Sequence, residues 1–144
     1  MRSALPDTHW PPTAGFWQAA TRDELAIPRC SGCRGYVWYP RERCPHCDGT
    51  SMPWEAVSGR GTLFSWAFVE RALFAPFADR APYVTGLVAL VEDPAVRVVT
   101  DVVDCDPHAL RADMPVRVVF RDLSFPGDAA SVRAPFFVPE EDVS

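Results

Sequence analysis

The sequence predicts a mainly β protein: a short N-terminal helix, a compact four-cysteine module, then a small closed barrel of five strands. Three observations lead there. Four of the five cysteines fall in two close pairs, Cys30-Ser-Gly-Cys33 and Cys44-Pro-His-Cys47, ten residues apart. From residue 56 onward the apolar residues alternate with polar ones in five short runs, the period of half-buried strands. Before the cysteines, Phe16, Trp17 and Ala20 recur at helical spacing.

Residues 1–12 are rich in proline and read as an extended arm. Thr13 is placed to cap a helix over 13–21. Thr21-Arg-Asp-Glu24 has the form of a capping box and predicts a second turn starting there. Phe16 and Trp17 either dock the helix on its own domain or meet a partner or ligand.

Residues 25–55 form the cysteine module. Each pair can present two thiolates to one side of a tetrahedral ion, which predicts a single structural Zn²⁺ held by Cys30, Cys33, Cys44 and Cys47. Iron would make the same shell a redox centre. Either pair alone could be a redox dithiol, but two pairs at this distance favour a metal. Gly32, Gly35, Pro45 and Gly49 are expected to make the tight turns, with His46 a solvent-facing spacer. Residues 36–40, Tyr-Val-Trp-Tyr-Pro, predict a short strand between the knuckles.

Residues 56–144 carry the barrel and an acidic tail. Gly59-Arg-Gly61 leads into a strand over 62–70, with Phe64, Trp66 and Phe68 on one face and Leu63, Ser65, Ala67 and Val69 on the other. Further strands are expected over 83–91, 96–103, 115–121 and 131–138, with room for one helical turn at 107–110. In the third, Val96, Val98 and Val102 face inward and Arg97 and Asp101 outward; in the fourth, Val116, Val118 and Phe120 share a face. Five strands are too few for a sandwich and suit a closed barrel whose first strand bends at glycine to serve two sheets, the opening of an OB-fold. The expected division is arm and helix 1–24, zinc ribbon 25–55, and barrel with tail 56–144.

Composition narrows the function. The chain has 144 residues, 48% of them apolar, and no apolar run near the ~18 needed to span a membrane. Its first residues lack the apolar stretch of a signal peptide, and an unpaired Cys105 fits a reducing compartment, so a cytoplasmic location is expected. The formal charge is −5, and four thiolates with one Zn²⁺ add −4 + 2 = −2, about −7 in all. Such a charge weighs against nucleic acid. All fourteen basic residues are arginine, so lysine Schiff-base chemistry is excluded.

The order of Phe16-Trp17, residues 25–33, Cys44-Pro-His-Cys47, Val57-Ser-Gly-Arg-Gly-Thr62, Ala81-Pro-Tyr-Val84, and 103–120 with Cys-Asp-Pro-His-Ala-Leu-Arg-Ala-Asp-Met-Pro-Val resembles the family catalogued as domain of unknown function 35. The likeness covers about 13–138. It departs at Asp113, where the family tends to carry glycine. The resemblance implies a rubredoxin-like zinc ribbon joined to an OB-fold. It further implies an accessory subunit, forming hetero-oligomers with a thiolase-like enzyme or a lipid-transfer-protein-type aldolase and helping to bind or channel acyl-CoA in lipid, steroid or polyketide metabolism.

No catalytic residue is expected. Cys105 and His108 could form a Cys–His pair, but a loop cysteine tucked under the barrel is the preferred reading. The Phe64/Trp66/Phe68 row is read first as core, then as acyl-chain contact, then as a base-stacking surface. Arg60, Arg71 and Arg80 are candidates for CoA phosphates. The apolar loop 72–77, with Phe74 and Phe77, is a candidate partner contact together with Phe16, Trp17 and Trp66. The alternatives are a single-stranded nucleic-acid module and a CoA-ester enzyme in its own right.

Overall fold

The computed structural model describes residues 4–140; the acidic tail beyond Glu140 and the first residues of the arm lie outside them. The element order is α1 (Ala14–Ala20), β1 (Leu25–Pro28), β2 (Trp54–Val57), β3 (Arg60–Val69), a 3₁₀ turn (Ala75–Phe77), β4 (Tyr83–Leu90), β5 (Arg97–Val102), β6 (Pro115–Leu123) and β7 (Val132–Pro139).

β3–β7 close into a barrel in the order β3-β4-β5-β7-β6, antiparallel except for β5 and β7, which run parallel with Val102 opposite Phe137. Closure falls on the bent first strand. Gly61 faces Leu90 of β4 on one side and Val116 of β6 on the other, and a Cβ there would strike the Ala89 carbonyl, so glycine lets three backbones meet. The core joins Leu63, Val84, Val88, Leu90, Val96, Val98, Val102, Val116 and Phe137 with Leu25 and Ile27 of β1.

The predicted aromatic row is broken. A register shift between Leu63 and Ser65 puts Leu63 inside and Phe64 outside. Phe64 lies instead under Arg97, whose guanidinium sits 3.9 Å from the ring centroid. Trp66 and Phe68 return to pack on the core. One bulged residue reverses the faces, because side chains alternate with period two.

Three local expectations are corrected. Thr13 is at the N-cap, but its hydroxyl makes no capping bond; its carbonyl accepts from Phe16 N–H at 3.0 Å. Thr21-Arg-Asp-Glu24 ends the helix rather than starting a turn. Asp23 takes a left-handed φ of 57°, its N–H reaches the Ala20 carbonyl and the Glu24 N–H reaches Ala19, the pattern of a Schellman stop. Residues 36–40 form no strand; Tyr36 makes one isolated bridge to Arg29. The pairing partner of β1 is β2, Leu25 opposite Val57 and Pro28 opposite Trp54, so both ends of the ribbon enter one small sheet.

Residues 107–110 form a turn, with Ala109 N–H on the Asp106 carbonyl at 3.0 Å. Asp113 has φ 63° and donates its N–H to the Leu63 carbonyl at 2.8 Å. The turn geometry is kept, at some strain for a residue with a Cβ.

Candidate metal centre and aromatic groove

The two cysteine pairs fold as near copies. In the first, Arg34 N–H bonds the Cys30 carbonyl and Cys30 N–H bonds the Gly35 carbonyl, both at 2.9 Å. In the second, Asp48 N–H bonds the Cys44 carbonyl at 2.9 Å and Cys44 N–H bonds that of Gly49 at 2.8 Å. The left-handed residues are Arg34 (63°) and Asp48 (65°), not the glycines predicted for the turns. Gly35 and Gly49 serve proximity: a Cβ on Gly49 would sit 3.3 Å from the sulfurs of Cys30 and Cys47, and one on Gly35 3.4 Å from that of Cys33.

The four Sγ atoms lie within 4.8 Å of one another, with Cys30–Cys47 at 3.5 Å and Cys33–Cys44 at 3.7 Å. A tetrahedral ion with Zn–S bonds of about 2.3 Å requires S···S separations near 3.8 Å, so the donor set fits one metal ion. Charge argues the same way. The Cys33 N–H holds Cys30 down to about 6. Cys47 accepts the Gly49 N–H, which lowers it, yet the crowding sulfurs of Cys30, Cys33 and Cys44 push it up to about 11. Four thiolates this close need a divalent cation to be charged together. Bound there, zinc supplies cross-linking, since four protein ligands leave no open position for chemistry.

The first cysteine of each pair is buried and the second exposed. Beside them, Glu55 of β2 ties the ribbon to the small sheet: it accepts from Arg29 at 2.9 Å, Tyr36 at 3.3 Å and Arg34 at 3.4 Å. The Arg29 hydrogen bond holds the Glu55 carboxyl below its ordinary value.

Where arm, helix, ribbon and barrel meet there is an apolar groove of about 680 Å³. α1 and the arm provide Trp10, Phe16 and Trp17. The ribbon provides Trp38 and Tyr39, and the barrel provides Val99, Asp101, Pro135 and Phe136 among others. The aromatics brace one another: Phe16 stands edge-on to Trp17 with centroids 5.0 Å apart and lies 5.6 Å from Trp38. Helix docking depends on Gly15, where any Cβ would enter the indole of Trp54. Asp101 is one of the polar groups of the wall, with Asp7, Thr13, Thr85 and Thr100. Burial pushes the Asp101 carboxyl up, and Arg80, 3.6 Å away, opposes this.

Of the residues expected at a site, Phe16 and Trp17 are on the groove wall. Trp66 packs on the core and is not among the groove residues. Arg60 opens β3, Arg71 follows its other end, and Arg80 follows the 3₁₀ turn. Arg60 pairs with Glu140 at 3.2 Å and Arg80 with Asp101. Sequence reasoning does not single out Trp10, Trp38 and Tyr39. The first sits in a proline-rich arm, and the Trp-Tyr pair reads as part of a strand that does not form; two adjacent aromatics between knuckles are the available signal.

Cys105 and His108 do not pair. The Cys105 thiol faces the Val102 carbonyl at 3.7 Å, and His108 lies edge-on to Phe68, 5.8 Å between centroids. Burial, then Asp106 and Asp104, raise the thiol, the opposite of nucleophile activation. No helix among the described residues is long and apolar enough to cross a membrane.

Comparison with known proteins agrees with this architecture. Residues 17–53 match the family described as ChsH2, rubredoxin-like zinc ribbon domain, and residues 54–121 match ChsH2, C-terminal OB-fold domain. A DUF35 domain-containing scaffold protein of Methanocaldococcus jannaschii is 35% identical over 102 residues, 69% of this chain and 70% of the relative. One of Methanothermobacter thermautotrophicus is 34% identical over 109 residues, 74% of this chain and 79% of the relative. Among solved structures, a chain of the Ltp2-ChsH2(DUF35) aldolase superposes with a TM-score of 0.76 at 28% identity, covering 96% of this chain and 98% of that one. A DUF35-family protein from Sulfolobus solfataricus, at TM-score 0.60 and 12% identity, shares the fold, covering 91% of this chain and 87% of that one.

Proposed function

The chain belongs to the DUF35 family of zinc-ribbon and OB-fold proteins, and on that footing we propose that it is a non-catalytic accessory subunit of a thiolase-like or aldolase enzyme, helping to bind or channel an acyl-CoA. The observation that carries this reading is the near full-length likeness to a chain solved within an aldolase complex, at an identity above what fold alone implies. The relatives named as scaffold proteins support the same role.

The groove gives the proposal its chemistry. Its wall is mainly aromatic and aliphatic, and among the described residues no arginine lines it. It suits the acyl part of a thioester, while the CoA phosphates stay outside. The same lack of basic residues, with a chain charge of −5, speaks against a nucleic-acid strand in this groove. Four metal-site cysteines and Cys105, none in a disulfide, suit a reducing compartment, and the cytoplasm is the location we infer.

Co-expression with a thiolase-fold or aldolase enzyme of the same organism, followed by size exclusion, tests the role. Co-elution in a fixed ratio is expected. Separate elution, with the enzyme's turnover unchanged by this chain, refutes it.

A further inference from the structure

The segment between β3 and β4 is a braced finger with an apolar tip. Leu73 is 100% exposed and Phe74 59%. Loops that carry such residues by chance are loose, but this one is held at several points. The 3₁₀ turn brings Phe77 N–H onto the Phe74 carbonyl at 2.9 Å. The Phe74 ring rests on Phe77, 5.6 Å between centroids; Phe77 in turn stands edge-on to Phe125 at 5.1 Å and near Tyr83 at 6.3 Å. Arg80 closes the base: its guanidinium lies 5.4 Å above the Phe125 ring and pairs with Asp101.

These contacts divide the residues expected to touch a partner. Phe77 and Arg80 spend their contacts inside the chain, as brace and latch. Leu73 and Phe74 are left for something else. Exposing a leucine and a phenylalanine side by side on a pre-formed finger leaves unused the stabilisation that their burial would supply.

We propose that Leu73 and Phe74 are the anchors that seat in an apolar pocket of the enzyme subunit, which rests on the accessory-subunit reading above. Two features on the molecule select that occupant. First, the base of the finger adjoins the groove: its latch partner, Asp101, is a groove-wall residue, next to where the reading above puts the acyl chain. Second, the other occupants fit poorly. A knob against the chain's own groove would join copies head to tail, as a ring or an open chain rather than a two-fold pair. The flanks of the tip balance, Glu70 and Asp79 against Arg71 and Arg80, so no local positive charge draws it to an anionic membrane surface.

The test compares the wild-type chain, a Leu73→Asp/Phe74→Ser variant and a Val91→Ser control. Val91 is also exposed but lies past the other end of β4. Each is titrated against a thiolase-fold or aldolase enzyme of the same organism, with zinc content and circular dichroism confirming that all three fold. The finger variant is expected to bind at least about thirtyfold more weakly, and the control within about twofold. Wild-type binding with equal binding by the finger variant overturns the finger while leaving the accessory role intact. No binding by wild type overturns both. A change in self-association confined to the finger variant, or its selective loss of flotation with phosphatidylglycerol vesicles, assigns the tip to a second copy or to lipid and overturns the proposal.

Discussion

Cys30 and Cys44 are the buried member of each pair, and each anchors a knuckle through its own backbone as well as its sulfur. Replacing Cys44 by serine removes one thiolate from a shell built for four. Metal content is expected to fall well below one ion per chain by elemental analysis, with loss of ribbon structure by circular dichroism. Asp113 shows a residue working against its position. Its left-handed φ favours glycine, so Asp113→Gly is expected to stabilise by about 0.5 kcal/mol, read as a small rise in Tm. Titration adds a sign that can be checked. Glu55, Asp23 and Asp104 are held low by hydrogen bonds from Arg29, Arg133 and Arg121. A carboxyl lowered on folding contributes stability that is complete above its unfolded pKa and disappears as pH falls through its folded pKa. Thermal melts of the zinc-loaded chain should therefore lose stability below the ordinary carboxylate range. Asp101, raised by burial, runs the other way: its contribution improves as pH falls through its raised pKa, which Asp101→Asn isolates in the same series.

At the scale of elements, what can be read from the sequence depends on periodicity. β5 and β6 carry β-branched residues at period two, β4 and β7 are mainly apolar runs, and the observed spans of all four lie within about two residues of those expected. The position of β3 along the chain is legible, but its faces are not. Nothing in Leu63-Phe64-Ser65 announces a bulge, because the extra residue is selected by barrel curvature rather than by a turn residue. β1 is hidden for another reason. Four residues buried at every position show no alternation, and their partner β2 begins only at Trp54, across the ribbon. The cysteines are fully legible, since ligand spacing is set by the ion. The groove is legible only in part: its walls come from several separate segments, and only Phe16-Trp17 stands out as an aromatic pair. Phe137 marks the point where β5, β6 and β7 meet and is wholly buried. Phe137→Ala is expected to destabilise by about 3–5 kcal/mol in denaturant titration, whereas Phe64→Ala, on the outer face, should change stability by less than about 1 kcal/mol.

For the whole molecule, the parts bear on one another. The ribbon inserts between β1 and β2, and Glu55 binds it to that small sheet. The sheet supplies Leu25 and Ile27 to the barrel core, and α1 docks against β2 through Gly15. The groove exists only because all of these are in place, so a metal that folds the ribbon also sets Trp38 and Tyr39 against the barrel. The proposed accessory role makes acyl-CoA turnover by the partner enzyme the most direct test, measured with no added chain, with wild type and with Val99→Arg. Val99 is 72% exposed and sits on the groove wall, so arginine there fills the groove without disturbing the core. Wild type is expected to raise kcat/KM severalfold or more, and Val99→Arg to bind the enzyme yet recover only a small part of that gain. Turnover that is the same in all three mixtures contradicts the account.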